Sequence, residues 1–163
     1  MRLWLGFAAL AATGCSQQAE APADEPAATA EAGSAVPKAC DILTEADAKE
    51  ALGRDVERLP NDGGSAGLDI CQYGYHGERL ADMGQATVTV QPVDLASAIA
   101  GAKEQGYELE PVSINGEEAY YSREIGLYVG KGNRTAIYLL GAGGLKDAKE
   151  RTVALALATS GRL

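Results

Sequence analysis

The chain has 163 residues, enough for one domain, and carries 23 acidic against 14 basic side chains, a net charge of −9. This balance argues against a nucleic-acid-binding protein, because contacts to phosphate require clustered Lys and Arg. It also argues against adhesion to anionic lipid headgroups through a basic patch, so any attachment to a membrane needs another device.

The beginning of the chain has the layout of an export signal. Arg2 supplies the positive end, and a short apolar run follows at 3–12. A helix of about ten residues rises only about 15 Å, roughly half the thickness of the hydrocarbon layer, so this run is too short for a permanent span. We expect residues 1–14 to form a signal peptide that is removed.

The run closes with the sequence Leu-Ala-Ala-Thr-Gly-Cys, which ends at Cys15. This segment resembles the lipobox of bacterial lipoproteins, in which a cysteine after small residues receives a diacylglyceryl group and becomes the new N-terminus. In the lipobox, the residue three positions before the cysteine is usually Leu, whereas in this chain it is Ala12. The resemblance implies lipidation of Cys15, with palmitate as a typical acyl chain. Ser16, the next residue, implies transfer to the outer membrane, facing the periplasm.

The alternative for this segment is ordinary cleavage after small residues, with Cys15 incidental. The cysteine count bears on that choice, because an odd number of thiols in an exported chain needs an explanation. If Cys15 carries lipid, Cys40 and Cys71 remain as one pair, and an oxidising compartment would keep them as a disulfide. Closing that loop stabilises the fold by about 3–4 kcal/mol. A zinc or redox pair is rejected, because the spacing is wide and further ligands are missing.

Residues 16–38 are rich in Ala, Pro, Glu and Gln and contain no Leu, Ile or aromatic residue. Such a segment cannot bury enough apolar surface to offset its ordering entropy, so we expect it to be disordered. A flexible chain of this length would have an end-to-end distance of about 25–30 Å. We interpret residues 15–38 as a tether that spaces a single domain, residues 39–163, from the bilayer.

The domain opens with a predicted helix whose N-cap is Thr44, with Asp47 at the third helical position, and Gly53 ends it. Strands are predicted over 70–75 and over 85–91, where apolar residues alternate. Asp94 caps a second helix with apolar residues at helical spacing, and Gly106 ends it.

Four further strands and a helix follow. The first pair, 112–114 and 118–122, flanks Asn115-Gly116, the strongest short hairpin signal. The second pair, 127–129 and 134–140, flanks a loop at 130–133. A final helix is predicted over 145–158, with Asp147 and Arg151 one turn apart. The pattern predicts an α+β fold: an antiparallel sheet of about six strands, with three helices covering one face.

The start of the domain also resembles a known group of proteins. Cys40-Asp41-Ile42-Leu43-Thr44, then Leu52-Gly53, then Cys71-x-Tyr73 are similar to small bacterial envelope lipoproteins, including functionally uncharacterised actinobacterial families that open with Cys-Asp-Leu-Leu-Thr. The similarity covers about thirty-five residues. Its motifs are structural, a disulfide and a capped helix, so it implies no activity and no cofactor.

Catalytic and metal motifs are weak throughout the chain. His76 is the single histidine, and no Gly-x-Ser-x-Gly elbow accompanies it. The glycines at 141–144 lack the third glycine of a dinucleotide fingerprint, because residue 146 is Lys146. Asp62 and Asp69 lack the alternating oxygen ligands of a calcium loop. Glu117 and Glu118 are adjacent in a strand, so they point to opposite faces. We expect no metal and no cofactor.

Tyrosines are the remaining candidates for a binding surface. Every tyrosine of the domain except Tyr107 lies in a predicted strand, and phenol rings on a helix-free sheet face would suit a glycan or a peptide. The ligand-binding candidates are Tyr73, Tyr75, Tyr120, Tyr128 and Tyr138. More often such rings are half-buried cross-strand pairs.

These observations lead to a functional hypothesis with two alternatives. We expect a membrane-anchored periplasmic lipoprotein that binds an envelope protein or glycan and is not an enzyme. The first alternative is a hydrolase that uses His76. The second is an inhibitor or accessory subunit of an envelope complex.

Overall fold

A computed structural model of the chain describes residues 37–60, 68–79, 82–142 and 145–163. The helices are α1 (Ala39–Ile42), α2 (Glu45–Leu52), α3 (Leu95–Glu104) and α4 (Ala148–Thr159), with a 3₁₀ turn at Ser160–Arg162. The strands are β1 (Glu57–Arg58), β2 (Asp69–Tyr75), β3 (Gly84–Gln91), β4 (Glu110–Ile114), β5 (Glu117–Ser122), β6 (Gly126–Lys131) and β7 (Arg134–Ala142). The predicted α+β class is confirmed. The signal peptide, Cys15 and the tether up to residue 36 lie outside the described residues, as do Asp62, Gly143 and Gly144.

The described strands form one antiparallel sheet in the order β1-β2-β3-β7-β6-β5-β4. Strands β4 to β7 follow one another as a meander, whereas β3 and β4 lie apart. The connection from β3 to β4 must therefore cross over β7, β6 and β5. Helix α3 is that connection, and this crossing decides where the candidate site lies.

The main core lies between the first face of the sheet and helices α1, α2 and α4. On β3 the predicted alternation is confirmed: Ala86, Val88 and Val90 are all buried there. The disulfide joins Cys40 on α1 to Cys71 on β2 across 31 positions, as predicted. It ties the first helix to the sheet beside this core.

Helix α3 lies on the opposite face of the sheet, so the prediction that all three helices share one face is wrong. Leu127 and Val129 of β6 enter the main core, whereas Tyr128 between them packs with Ile99 and Ala102 of α3. The sequence carries a signal for this arrangement, because β7 reads almost continuously apolar, as strands covered on both faces do.

Local chemistry accounts for most of the element ends. Thr44 and Asp47 cap α2 reciprocally, because each side chain accepts a hydrogen bond from the other residue's backbone N–H. Asp94 accepts from Ser97 N at 2.8 Å at the start of α3. Asn115 and Gly116 both have positive φ, as a type I′ hairpin turn requires.

Three details differ from the prediction. Helix α1 was not predicted, since its four residues are too few to show a helical period. Strand β1 is also unpredicted, because it has two residues and both are charged. The predicted pairing of Asp147 with Arg151 is the third difference. Asp147 is the N-cap of α4, and Arg151 donates to Ala51 O at 3.0 Å, which joins α4 to α2.

Candidate binding grooves beside α3

Helix α3 stands on the second face of the sheet as a ridge. Beneath it, Tyr120, Tyr128 and Ile137 lie directly opposite one another on β5, β6 and β7 and form a row across the strands. The helix covers Tyr128 in the middle of the row, which is only 4% exposed. Tyr120 and Ile137 therefore lie on opposite flanks of the helix, and each flank is a groove.

Glycine allows α3 to approach the sheet this closely. A Cβ at Gly130 of β6 would lie 2.6 Å from Leu95 Cβ, a distance that real side chains do not adopt. Leu95 is the first residue of α3, so the absence of a side chain at 130 sets the height of the helix over the sheet.

The first groove, which we call the Tyr107 groove, has a volume of about 350 Å³ and is uncharged. Its lining combines aromatic and branched apolar side chains with small residues of α3 and two amides; the lining residues are Gln91, Val93, Ser97, Ala98, Gly101, Ala102, Gln105, Tyr107, Ile125, Tyr128 and Ile137. Burial raises the pKa of Tyr128, and the nearby phenol of Tyr107 raises it further. The phenol of Tyr128 is therefore neutral at physiological pH.

The second groove, which we call the Tyr120 groove, has a volume of about 440 Å³. The α3 wall is apolar apart from its last turn, and the strand wall is polar; the lining residues are Leu95, Ala96, Ile99, Ala100, Lys103, Glu118 and Tyr120. The Tyr120 hydroxyl donates a short hydrogen bond of 2.5 Å to Glu118 Oε1. This bond to the carboxylate raises the pKa of Tyr120, so the phenol stays protonated and remains a donor.

The five predicted tyrosines do not share one face. Tyr73 and Tyr75 pack at the edge of the main core, and Tyr138 is completely buried within it. Tyr120 and Tyr128 lie on the other face, under α3. The expectation of one helix-free tyrosine surface is therefore wrong, because neighbouring residues in a strand point to opposite faces and helices cover both.

Tyr138 has a structural position in the core. The Tyr138 hydroxyl lies beside the Thr159 hydroxyl, but it makes no hydrogen bond of good geometry within the described ranges. The Thr159 hydroxyl donates instead to Leu155 O at 2.8 Å. Burial raises the pKa of Tyr138, although Thr159 and Arg162 oppose the shift. A ring so enclosed has no surface to offer a ligand.

His76 is exposed at the end of β2 and borders a shallow groove of about 230 Å³. Leu59, Tyr75, Met83, Gly84, Gln85 and Gly141 complete the described lining. Neither a serine nor a carboxylate belongs to this described lining. The arrangement that a His76-dependent hydrolase would need is not assembled by the described lining.

The described residues do not assemble a further catalytic or metal site from the other candidates. Glu117 and Glu118 point to opposite faces of β5, as expected: Glu117 lines a separate cavity of about 380 Å³ beside Ser160 and Gly161, whereas Glu118 lines the Tyr120 groove. Across the described ranges, three or more metal-binding side chains do not converge at any point. Nor does any helix there combine the length and apolarity that crossing a bilayer requires.

The grooves beside α3 were missed by sequence reasoning, although Tyr120 and Tyr128 were both named. The missing information was the crossing of α3 over the sheet, which depends on the strand order rather than on any local pattern. The available signal was Gly130 in a strand, where glycine marks close approach of another backbone or helix. Comparison of the chain with protein-family models, with curated proteins and with solved structures gives no match.

Proposed function

We propose that this chain is a lipid-anchored module of the cell envelope, held at the outer membrane and facing the periplasm, that binds an envelope molecule along α3 and does not act as an enzyme. The observation that carries the binding proposal is the ridge of α3 with a groove on each flank. Grooves of a few hundred Å³, mainly apolar with a few placed polar groups, are the usual form of ligand sites.

Two features support the envelope placement. The lipobox-like segment ending in Cys15 supplies a means of attachment that a net charge of −9 cannot supply electrostatically. The Cys40–Cys71 disulfide is of a kind that persists in oxidising compartments. Together they favour a domain presented to the periplasm on a tether.

Site-directed photocrosslinking in intact cells tests the binding proposal. A benzophenone amino acid replaces Ala100, an exposed residue of the Tyr120 groove, and in a matched control replaces Leu157, an exposed residue of α4 on the other face. We expect a discrete, saturable adduct from position 100 and none from position 157. Equal adducts from both positions, or none from either, would contradict a site along α3.

A further inference from the structure

We propose that the Tyr120 groove recognises a neutral saccharide of the cell envelope. This inference rests on the proposed function and names its ligand class. It is carried by the pairing of an apolar helix wall with a tyrosine, a carboxylate and an ammonium group in one open groove.

The two walls of the groove differ in chemistry. On α3, Leu95 and Ile99 are separated by one helical turn and present branched apolar carbons. On β5, Glu118 and Tyr120 are two residues apart and therefore lie on the same face of the sheet. A pyranose ring has the matching character, because its C–H faces are apolar and its hydroxyls project around the rim.

The polar groups are already arranged for hydroxyl recognition. The Tyr120 hydroxyl occupies Oε1 of Glu118, which fixes the carboxylate and leaves Oε2 to accept from a ligand hydroxyl. Lys103, one turn beyond Ile99, contributes an ammonium group that donates to ligand oxygens. Holding the Glu118 carboxylate and the Tyr120 hydroxyl in place before binding lowers the entropy lost when the ligand arrives.

The backbone around the groove argues against an extended peptide. Peptides are commonly held by main-chain hydrogen bonds along a free strand edge. Here β5 is bonded to β4 on one side and to β6 on the other, and the middle of α3 uses its backbone groups within the helix. In the edge strand β4, Pro111 has no N–H to offer an added strand. Recognition in this groove must therefore use side chains.

Charge selects among saccharides. Within the groove the charges of Glu118 and Lys103 offset each other, but the whole chain has a net charge of −9, so phosphorylated or polyuronic glycans are repelled as they approach. A neutral sugar experiences no such repulsion and uses the carboxylate as an acceptor. The groove is therefore suited to neutral hexoses or N-acetylhexosamines.

The test is a nuclear magnetic resonance titration of the mature lipoprotein in detergent micelles with chitotetraose, cellotetraose and maltotetraose. A short peptidoglycan stem peptide is titrated separately. We expect at least one of the saccharides to shift the amide signals of residues 95–103 and 118–120. Glu118→Gln should weaken that binding about tenfold, Tyr120→Phe should weaken it less, and the matched control Glu150→Gln, at an exposed residue of α4 on the other face, should leave it unchanged. Thermal melting of each variant checks that it folds.

The outcomes separate the two proposals. If none of the saccharides binds, or if their shifts map to the Tyr107 groove, the saccharide inference is overturned. If only the stem peptide binds at residues 95–103, the ligand class is wrong, but a site along α3 stands. Adducts from position 100 without saccharide binding would likewise reject the ligand class and keep the proposed function.

Discussion

Arg162 joins the two ends of the folded domain through polar contacts with Asp47 and with the backbone of Ile42. Arg162 Nη1 lies 2.5 Å from Asp47 Oδ2 and also donates to Ile42 O at 2.8 Å, while Thr44 donates to the same carboxylate. Asp47 is mostly shielded, with 14% of its side chain exposed. One guanidinium thus fastens the last turn to α1 and α2, over the buried Tyr138.

The first prediction concerns Asp47→Asn. Partial burial opposes ionisation of Asp47, but hydrogen bonds from Arg162 and Thr44 outweigh it, so the pKa of this carboxyl lies below its ordinary value of 3.8. Removing the charge should lower the free energy of unfolding at pH 7 by about 1–2 kcal/mol, as for other hydrogen bonds to charged groups. Urea denaturation at 25 °C measures this difference.

The same pair predicts a pH dependence. Because the folded pKa of Asp47 is lowered, its contribution is complete above the unfolded pKa and is lost as the pH falls through the folded pKa. The difference between Asp47→Asn and the parent should therefore shrink below pH 4. Asp55→Asn is the control, since Asp55 pairs with Lys49 in full solvent, and it should change stability little. A pH-independent effect of Asp47→Asn would contradict this assignment.

At the scale of elements, the close packing of α3 on β6 predicts opposite changes in stability for alanine substitutions at two glycines. Gly130→Ala places a Cβ against Leu95 and should lower the free energy of unfolding by about 1–3 kcal/mol, because α3 must move. Gly101→Ala, in α3 itself, places a Cβ where no atom lies within 4 Å, and should raise stability by about 0.5–1 kcal/mol. Denaturant unfolding of both variants checks the pair, and a neutral Gly130→Ala would mean that α3 is not seated on β6.

The disulfide between α1 and β2 gives a further prediction. Replacing both Cys40 and Cys71 by Ser should lower stability by about 3–4 kcal/mol, because the unfolded chain regains the entropy of its closed loop. Adding a reductant should destabilise the parent by a similar amount and leave the double variant unchanged. Equal melting of parent and variant without reductant would show that the crosslink contributes nothing.

Most elements could be predicted from the sequence, because their signals are local. Thr44, Asp94 and Asn115-Gly116 each determine a helix start or a turn through their own hydrogen bonds or backbone geometry. The face on which α3 lies could not be predicted in the same way, since it depends on β3 pairing with β7 across a long stretch of chain. The sequence predicts Tyr120 as a binding residue, but it marks Glu118 only as one of two adjacent carboxylates in a strand. The groove that Tyr120 and Glu118 both line depends on the order of the strands in the sheet, which no local pattern predicts.

At the scale of the whole molecule, the two faces of the sheet have different roles. Helices α1, α2 and α4 enclose the core on one face, and the disulfide and the Arg162–Asp47 pair reinforce that side. The other face carries the α3 ridge with its two grooves. In our proposal, the lipid on Cys15 keeps the domain in the envelope, where these grooves meet their ligand.

The central claim is that the chain is anchored through Cys15, and intact mass spectrometry of the protein purified from membranes tests it most directly. We expect a polypeptide that begins at Cys15 and carries the added mass of a diacylglyceryl group. Cys15→Ala should lack that mass and leave the membrane fraction. A native chain with unmodified Cys15, or one that retains residues 1–14 in the cytosol, would contradict the account.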